Sequence, residues 1–197
     1  MKAIIMAGGE GSRLRPLTCR RPKPLVPVAN RPVMEYCLEL LRDLGIKEVG
    51  VTLQYLPAMI EEFFGDGSDY GLRLFYYVED KPLGTAGSVR NAAPLLDETF
   101  IVISGDALTD FDLRPALQQH RESGALATLV LTTVDNPLEY GVVITNSDGS
   151  IRSFLEKPSW GEVFSDRVNT GIYILEPEIL EQIPTGRSYD FSKDLFP

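Results

Sequence analysis

The chain has 197 residues, of which 44% are apolar and 24% charged, so it is long enough for one sizeable core and too short for two full domains. Twenty-eight acidic against nineteen basic residues give a net charge of -9, which disfavours nucleic acid as a partner because a phosphate polymer would be repelled. No apolar run of about 18 residues could cross a bilayer, and two cysteines without a CxxC pair or a secretory signal favour a reducing cytoplasm.

Strands and helices alternate along the first half of the chain. The apolar run at 2–7 ends at Gly8 and Gly9, which predicts a buried strand followed by a loop. Apolar residues recur at helical spacing over 33–44, and Gly45 follows as a C-cap. The same patterns predict strands at 49–53, 72–78 and 100–103 and helices at 59–64 and 86–93. This order predicts a parallel sheet with helices on both faces and a ligand site at the carboxyl ends of its strands.

The pattern changes in the second half of the chain. Asp112 is predicted to be the N-cap of a helix that ends at Glu122, and His120 in that helix is predicted to be solvated. The following elements are a strand at 126–132, a hairpin formed by 142–145 and 151–155, a strand at 171–175 and a short helix from Pro177. Residues 189–197 are expected to end without a cap. We therefore expect one domain over 1–197, with a smaller β-rich lobe at approximately 137–175.

The loop after the first predicted strand has the composition of a phosphate site. Its glycines allow backbone N–H groups to converge on anionic oxygens, and a hydroxyl and two cations follow. These residues are Gly8, Gly9, Gly11, Ser12, Arg13 and Lys23. A dinucleotide-binding turn would need a glycine where Leu14 stands, which disfavours a nicotinamide oxidoreductase, and the Walker pattern is absent. By itself, the loop is equally compatible with a solvated glycine-rich turn.

Short segments along the chain combine glycine, proline and charged residues in specific orders. They are 6–14 (MAGGEGSRL), 16–18 (PLT), 22–25 (PKPL), 82–87 (PLGTAG), 104–106 (SGD), 140–143 (YGVV), 156–158 (EKP) and 169–173 (NTGIY). Together they closely resemble the sugar-1-phosphate nucleotidyltransferase family, most of all its mannose-1-phosphate guanylyltransferase branch. The resemblance implies an α/β, Rossmann-like three-layer sandwich with a mostly parallel central sheet and a smaller β-rich sugar-binding lobe. It also implies transfer of a nucleotidyl group from an NTP to a sugar 1-phosphate.

The resemblance assigns a nucleotide-binding role to residues in two loops. They are Ala7, Gly8, Gly9, Gly11, Ser12, Arg13, Glu79, Gly84 and Thr85. Arg13 is expected to contact the leaving phosphates, and Lys23 the α-phosphate or the incoming phosphate. With Lys157, these two cations form the expected catalytic set. No general base is required, because the attacking sugar phosphate is already anionic.

Asp106 follows a predicted buried strand and resembles the metal ligand of the family, which implies Mg²⁺ as cofactor. A turn-forming aspartate is the alternative from the residue alone. Relatives in the family continue with a second metal-binding aspartate and often a C-terminal domain, so the chain is expected to be incomplete on its C-terminal side.

Glu79 bears on the choice of base. An ionised carboxylate only accepts hydrogen bonds, which suits the adjacent N1–H and N2–H₂ donors of guanine, whereas relatives that use UTP or dTTP commonly carry glutamine here. GTP is therefore favoured, and with it mannose 1-phosphate. A solvated acid, and a glucose-1-phosphate thymidylyl- or uridylyltransferase, are the alternatives.

The resemblance assigns the sugar phosphate to the second half of the chain. The residues concerned are Gly141, Glu156, Lys157, Asn169 and Thr170. An exposed charge pair at a strand end is the alternative for Glu156 and Lys157. A non-catalytic nucleotide-binding relative remains a second functional hypothesis, although such relatives usually lose residues of the Arg13, Lys23 or Asp106 type. Self-association is common among relatives and is possible here.

Overall fold

A computed structural model of the chain describes residues 1–159, 161, 163 and 165–197. Its strands are β1 (Lys2–Met6), β2 (Pro27–Val28), β3 (Arg31–Pro32), β4 (Glu48–Leu53), β5 (Arg73–Val78), β6 (Phe100–Ser104), β7 (Ala127–Thr133), β8 (Gly141–Thr145), β9 (Ile151–Glu156) and β10 (Arg167–Leu175). Its α-helices are α1 (Val33–Asp43), α2 (Pro57–Phe64), α3 (Gly84–Asn91) and α4 (Arg114–Ser123). Within the described ranges, no helix has the length and apolar character needed to span a membrane.

The described strands form one large sheet and a small ribbon. The path through the large sheet is β5-β4-β1-β6-β10-β8-β9, and β7 also pairs with β10. β5, β4, β1 and β6 are mutually parallel, whereas every pairing of β10 is antiparallel. β2 and β3 form the separate ribbon. The structure confirms the predicted α/β class with a mostly parallel centre.

Two apolar layers cover the sheet because successive side chains of each strand point to opposite faces. Ile5 packs with α1 residues such as Leu38 in one buried cluster. Ile4, its neighbour on β1, packs with Val89 of α3 and with Phe191 in the other. Full burial of each such side chain contributes about 1.5–3 kcal/mol relative to exposure. Helix, sheet and helix therefore form the three layers of the sandwich.

The strand β10 joins the parallel sheet to the hairpin of β8 and β9. Val168, near its start, pairs with Val142 of β8, whereas Tyr173 pairs with Val102 of β6. The register with β7 shifts between Asn169 and Tyr173, where Gly171 has a φ of +78° that favours glycine. The strand predicted at 171–175 is thus only the second half of a nine-residue strand.

His120 is buried rather than solvated, so the prediction for this residue is wrong. The residue is 1% exposed, with Nδ1 at 2.8 Å from the Thr128 hydroxyl and Nε2 at 3.0 Å from a carboxylate oxygen of Glu176. His120 lies one turn after Leu117 on the side of α4 that faces β7 and β10, as helical spacing requires. Its neighbours in the sequence are polar and lie on the exposed side of the helix, so the local sequence did not indicate that His120 is buried.

Two end caps also differ from the predictions. Leu113 occupies the N-cap of α4, and Asp112, one residue earlier, accepts a hydrogen bond of 3.1 Å from the backbone N–H of Arg114. Residues 189–197 do contain a cap, because the Asp190 carboxylate accepts from the backbone N–H of Ser192 at the start of a helical turn, Phe191–Leu195. A side-chain oxygen that accepts from a free N–H at a helix start is the usual capping interaction.

Candidate functional site

Four loops meet at one edge of the sheet because they follow the carboxyl ends of neighbouring parallel strands. The loop from Ala7 follows β1, Gln54 follows β4, Glu79 follows β5, and Gly105 with Asp106 follows β6. The topology alone therefore brings together residues that are up to 99 positions apart in the sequence, from Ala7 to Asp106. The residues predicted to bind the nucleotide lie at this edge of the sheet.

The glycine loop after β1 is held in shape by backbone contacts. The N–H of Ala7 donates to the carbonyl of Thr52 at 2.9 Å, and the Thr18 hydroxyl donates to the carbonyl of Gly11 at 2.8 Å. Gly11 has a φ of +63°, and a Cβ there would lie 3.0 Å from Thr18 and 3.1 Å from Lys23. Position 11 therefore requires glycine for both its conformation and its close packing.

A cleft of about 380 Å³ opens between the glycine loop and the turn after β6. Inside it the Lys23 ammonium contacts one oxygen of the Asp106 carboxylate, and the Ser104 hydroxyl donates to the other. Partial burial and the nearby Arg13 guanidinium lower the pKa of Lys23. We call this the phosphate cleft, because its two cations and the backbone N–H groups of its glycine loop suit an anionic ligand.

An adjoining cleft of about 230 Å³, the base cleft, lies between the glycine loop and the segment after β5. Glu79, which is 9% exposed, accepts a hydrogen bond of 3.1 Å from the backbone N–H of Leu83 through Oε2. Burial raises the pKa of this carboxyl group because its charged form loses hydration. The side chain of Glu79 therefore faces a ligand cavity rather than bulk solvent.

The segment at 187–191, which follows the hairpin and β10 in the chain, closes the base cleft. The N–H of Tyr189 donates to the carbonyl of Leu83 at 2.8 Å, and the N–H of Gly87 donates to the carbonyl of Tyr189 at 2.9 Å. The N–H of Phe191 donates to the Thr85 hydroxyl at 2.9 Å. Gly84 approaches this segment so closely that a Cβ would lie 2.6 Å from the Tyr189 carbonyl oxygen. These bonds fix the segment after β5 at 79–87, which we call the base loop, to a distant part of the chain.

The predicted nucleotide residues line these two clefts. Those that line the phosphate cleft are Ala7, Gly9, Gly11, Ser12, Arg13 and Thr85, together with the predicted catalytic Lys23 and the predicted metal ligand Asp106. Those that line the base cleft are Gly8, Gly9, Glu79, Gly84 and Thr85. Gly9 and Thr85 line both, so the two clefts adjoin each other.

The predicted sugar residues gather elsewhere, around the hairpin and the first half of β10. Gly141 pairs with Glu156 in the register of β8 and β9, and a Cβ on Gly141 would lie 2.7 Å from the Phe154 ring. The Asn169 amide donates to the Tyr173 hydroxyl at 2.8 Å, and the Thr170 hydroxyl donates to the carbonyl of Val130 at 2.7 Å. Among the described residues, none of the sugar set, Lys157 included, lines either cleft.

Tyr173 connects the two regions. The residue is 4% exposed, and this burial raises its pKa to about 12. The hydrogen bond from Asn169 opposes the rise in pKa, whereas the nearby carboxylates of Asp190 and Glu156 add to it. Its ring packs on Phe191 at 4.9 Å between centroids. The segment that closes the base cleft is therefore in contact with the strand that carries the predicted sugar residues.

Asp106 can supply one ligand to a magnesium ion. Over residues 1–159, 161, 163 and 165–197, no group of three or more histidine, cysteine, aspartate or glutamate side chains could hold a metal ion. Magnesium commonly uses one or two carboxylates together with water and substrate phosphates, so a lone carboxylate in a phosphate cleft fits its preferences. The residues present therefore fit a metal that arrives with a phosphorylated substrate.

Sequence analysis missed three residues of the site. Asp190 and Gln54 line the base cleft, and Thr18 holds the carbonyl of Gly11. Gln54 could have been identified, because it directly follows a predicted strand of the parallel sheet. Asp190 has no such signal, since its position depends on contacts with a loop about a hundred residues earlier.

The fold and its strand-end clefts define a Rossmann-like α/β protein. A family model described as nucleotidyl transferase matches residues 2–197, so the chain belongs to this family. Over its whole length it is 44% identical to the UTP–glucose-1-phosphate uridylyltransferase of Synechocystis sp., of which it covers 54%. It is 38% identical to the mannose-1-phosphate guanylyltransferase of Mycobacterium tuberculosis, with 99% of this chain and 54% of that protein covered. The chain thus spans about half the length of these curated relatives.

Solved structures show the same architecture. HddC from Yersinia pseudotuberculosis, in a crystal structure complexed with GMP-PN, superposes with a TM-score of 0.82 at 27% identity. The match covers 98% of this chain and 84% of that one. The resemblance found in the sequence is therefore confirmed at the level of family and fold.

Proposed function

We propose that this chain carries the catalytic half of a sugar-1-phosphate nucleotidyltransferase. The observation that carries the proposal is the pair of adjoining clefts, of which one is lined by Arg13 and Lys23 and the other by Glu79. A nucleoside triphosphate presents an anionic chain and a base with N–H donors at matching ends. Family members found by comparison are named for nucleotidyl transfer, which supports the same reaction here.

In the proposed reaction, a phosphate oxygen of the sugar 1-phosphate attacks the α-phosphorus of the NTP. A new P–O bond forms, the bond between the α-phosphorus and the bridging oxygen breaks, and pyrophosphate leaves. Because the nucleophile is already anionic, the residues need only align the reactants and stabilise charge. Arg13 serves the leaving phosphates, Lys23 the α-phosphate, and Lys157 the phosphate of the sugar.

Asp106 would hold the magnesium ion, which would neutralise phosphate charge when bound. The Lys23 ammonium contacts one oxygen of that carboxylate. A phosphate bound near Lys23 would draw the ammonium away from Asp106 and leave that oxygen for the metal. Ser104 keeps the carboxylate oriented through its hydroxyl.

GTP is the nucleotide that the base cleft suits best. Glu79 uses Oε2 for the N–H of Leu83, and among the described residues its Oε1 has no hydrogen-bond partner. Guanine offers N1–H and N2–H₂ side by side, which a carboxylate can accept together. Mannose 1-phosphate is the corresponding sugar substrate, held by Gly141, Glu156, Lys157, Asn169 and Thr170.

The second candidate is a glucose-1-phosphate uridylyltransferase. It is favoured by the 44% identity to the Synechocystis protein, which exceeds the 38% identity to the mycobacterial guanylyltransferase. Uracil presents one N–H between two carbonyls, which would leave acceptor groups opposite the Glu79 carboxylate. The chemistry of this side chain therefore favours guanine over uracil.

Pyrophosphate release tests both candidates. GTP, UTP and dTTP are each combined with mannose 1-phosphate and with glucose 1-phosphate in the presence of Mg²⁺. Highest turnover with GTP and mannose 1-phosphate is expected. Turnover only with UTP or dTTP would contradict the role of Glu79, and nucleotide binding without turnover would favour a non-catalytic relative.

The setting of the protein is part of the same proposal. Cys19 and Cys37 are both free thiols, which suits a reducing cytoplasm.

We also propose that the full-length protein has a further C-terminal part, because its relatives are about twice as long, and that it self-associates. Size-exclusion chromatography with light scattering of the full-length protein tests self-association.

A further inference from the structure

The base cleft contains a second carboxylate, that of Asp190. This residue lies about a hundred positions after the base loop, yet it lines the same cavity of about 230 Å³ as Glu79 and Gln54. Three hydrogen bonds from the backbone N–H groups of residues 87, 189 and 191 attach its segment to the loop over the cleft. Asp190 is therefore a fixed wall of the cleft rather than part of a free loop.

The Asp190 carboxylate is oriented by its neighbours. Oδ1 accepts from the backbone N–H of Ser192 at 3.1 Å and from the Ser192 hydroxyl at 2.9 Å. Within the described part of the chain, Oδ2 has no hydrogen-bond partner. Glu79 shows the same arrangement, with Oε2 held by the N–H of Leu83. Each carboxylate thus uses one oxygen within the protein and leaves the other as an acceptor.

The number of acceptors matters because bases differ in the hydrogens that they present. Guanine carries three N–H hydrogens on N1 and N2, one more than a single carboxylate accepts in a bidentate pair. Uracil and thymine carry one N–H between two carbonyl oxygens. A second free carboxylate in the cleft therefore adds an acceptor for guanine and faces a carbonyl of either pyrimidine.

We infer that Asp190 is a specificity-determining residue of the base cleft, and that it accepts the remaining N2 hydrogen of a guanine nucleotide. Glu79 takes the N1–H through Oε1 and the other N2 hydrogen through the second lone pair of Oε2, whose first lone pair accepts from the N–H of Leu83. This inference rests on the proposed function for its substrate class, but it concerns binding and does not require turnover. It predicts that the cleft distinguishes guanine from hypoxanthine, which lacks only the 2-amino group.

Calorimetric titration of GDP, IDP and UDP into the wild-type chain and into Asp190→Asn tests the inference. The asparagine side chain would keep an Oδ1 acceptor for Ser192 and replace the free oxygen by a donor, so the cap of the helical turn is preserved. We expect the wild type to bind GDP about tenfold or more tightly than IDP, and the variant to lose most of that ratio. Glu181→Gln, at an exposed acid outside both clefts, is the control with the same change in charge and should keep the ratio.

The outcomes separate this inference from the proposed function. Equal binding of GDP and IDP by the wild type, or an unchanged ratio in Asp190→Asn, would overturn the role of Asp190 whether or not pyrophosphate is released. A ratio that falls in the variant while no sugar phosphate supports turnover would sustain the role and contradict the proposed reaction. If Asp190→Asn weakens only the binding of mannose 1-phosphate, Asp190 belongs to the sugar region and the inference fails.

Discussion

The strand-end clefts and the hairpin region of β7 to β10 use their polar side chains differently. In the clefts, Glu79 and Asp190 each have one carboxylate oxygen with no hydrogen-bond partner among the described residues. The Arg13 side chain, which lines the phosphate cleft, is exposed. In the hairpin region, Asn169 and Thr170 are engaged with Tyr173 and with the carbonyl of Val130. Apart from the Lys23–Asp106 pair, the side chains of the proposed nucleotide end keep free acceptors and an exposed cation, whereas those of the proposed sugar end would have to exchange internal hydrogen bonds for substrate contacts. The following experiments test that difference.

The largest effect is expected from Lys23→Met. The substitution removes one of the two cations of the phosphate cleft and keeps most of the length of the side chain, so turnover should fall by about 10²–10³-fold because transition-state charge loses a stabilising partner. Initial rates of pyrophosphate release measure this. Lys47→Met, at an exposed lysine outside both clefts, is the matched control and should retain full activity. Comparable rates of pyrophosphate release in both variants would contradict a catalytic role for Lys23.

Alanine substitutions at one glycine in each region are expected to change the free energy of unfolding by different amounts. A Cβ on Gly141 would lie 2.7 Å from the buried Phe154 ring, so Gly141→Ala should lower the free energy of unfolding by about 1–3 kcal/mol. A Cβ on Gly9 meets nothing within 4 Å, and Gly9→Ala should change stability by less than about 0.5 kcal/mol while weakening the binding of GDP. Denaturant unfolding and calorimetry measure the two quantities. Equal loss of stability in both variants would contradict the open space beside Gly9.

Acidification is expected to weaken the binding of GTP through Glu79. Because burial raises the pKa of Glu79, protonation begins at a higher pH than for an ordinary glutamate, and the neutral group loses its charge as an acceptor. The KM for GTP should rise as the pH falls through that range. Glu79→Gln should raise this KM about tenfold at a pH of about 8, roughly the effect of a hydrogen bond to a charged group, and remove the pH dependence. A pH profile that is the same in both proteins would place Glu79 outside the base site.

The smallest effect is expected from Glu156→Gln. Glu156 lies in the hairpin region opposite Gly141, so the KM for the sugar phosphate should rise about fivefold while the KM for GTP stays constant. Steady-state kinetics with each substrate varied in turn measures the two constants. Glu181→Gln serves again as the control. An increase in the KM for GTP alone would contradict the division between the two regions.

The parallel half of the fold could be predicted because its signals are local. The apolar run at 2–7, the helical spacing at 33–44 and the glycine loop each specify an element and its end within a few residues. The carboxyl-end rule then placed Gly9, Glu79 and Asp106 at one edge of the sheet. Features that depend on distant contacts were not predictable in this way.

His120 and Asp190 illustrate the limit. His120 lies among polar residues, and only the pairing of α4 with β7 and Glu176 shows that it is buried with both ring nitrogens satisfied. Asp190 follows no predicted strand of the parallel sheet, and its place in the base cleft depends on hydrogen bonds to a loop far back in the sequence. The sequence pattern predicted that a strand begins at Gly171. In the structure Gly171 lies within β10, where the register with β7 shifts.

The bond between Thr85 and Phe191 joins residues that are 106 positions apart. During synthesis, the glycine loop and Glu79 leave the ribosome well before the segment that closes their cleft. At about 5–20 residues per second, the base loop waits roughly 5–20 s for that segment. A nascent chain can therefore assemble its parallel strands and phosphate cleft first, and the base cleft is closed only after Phe191 has been added.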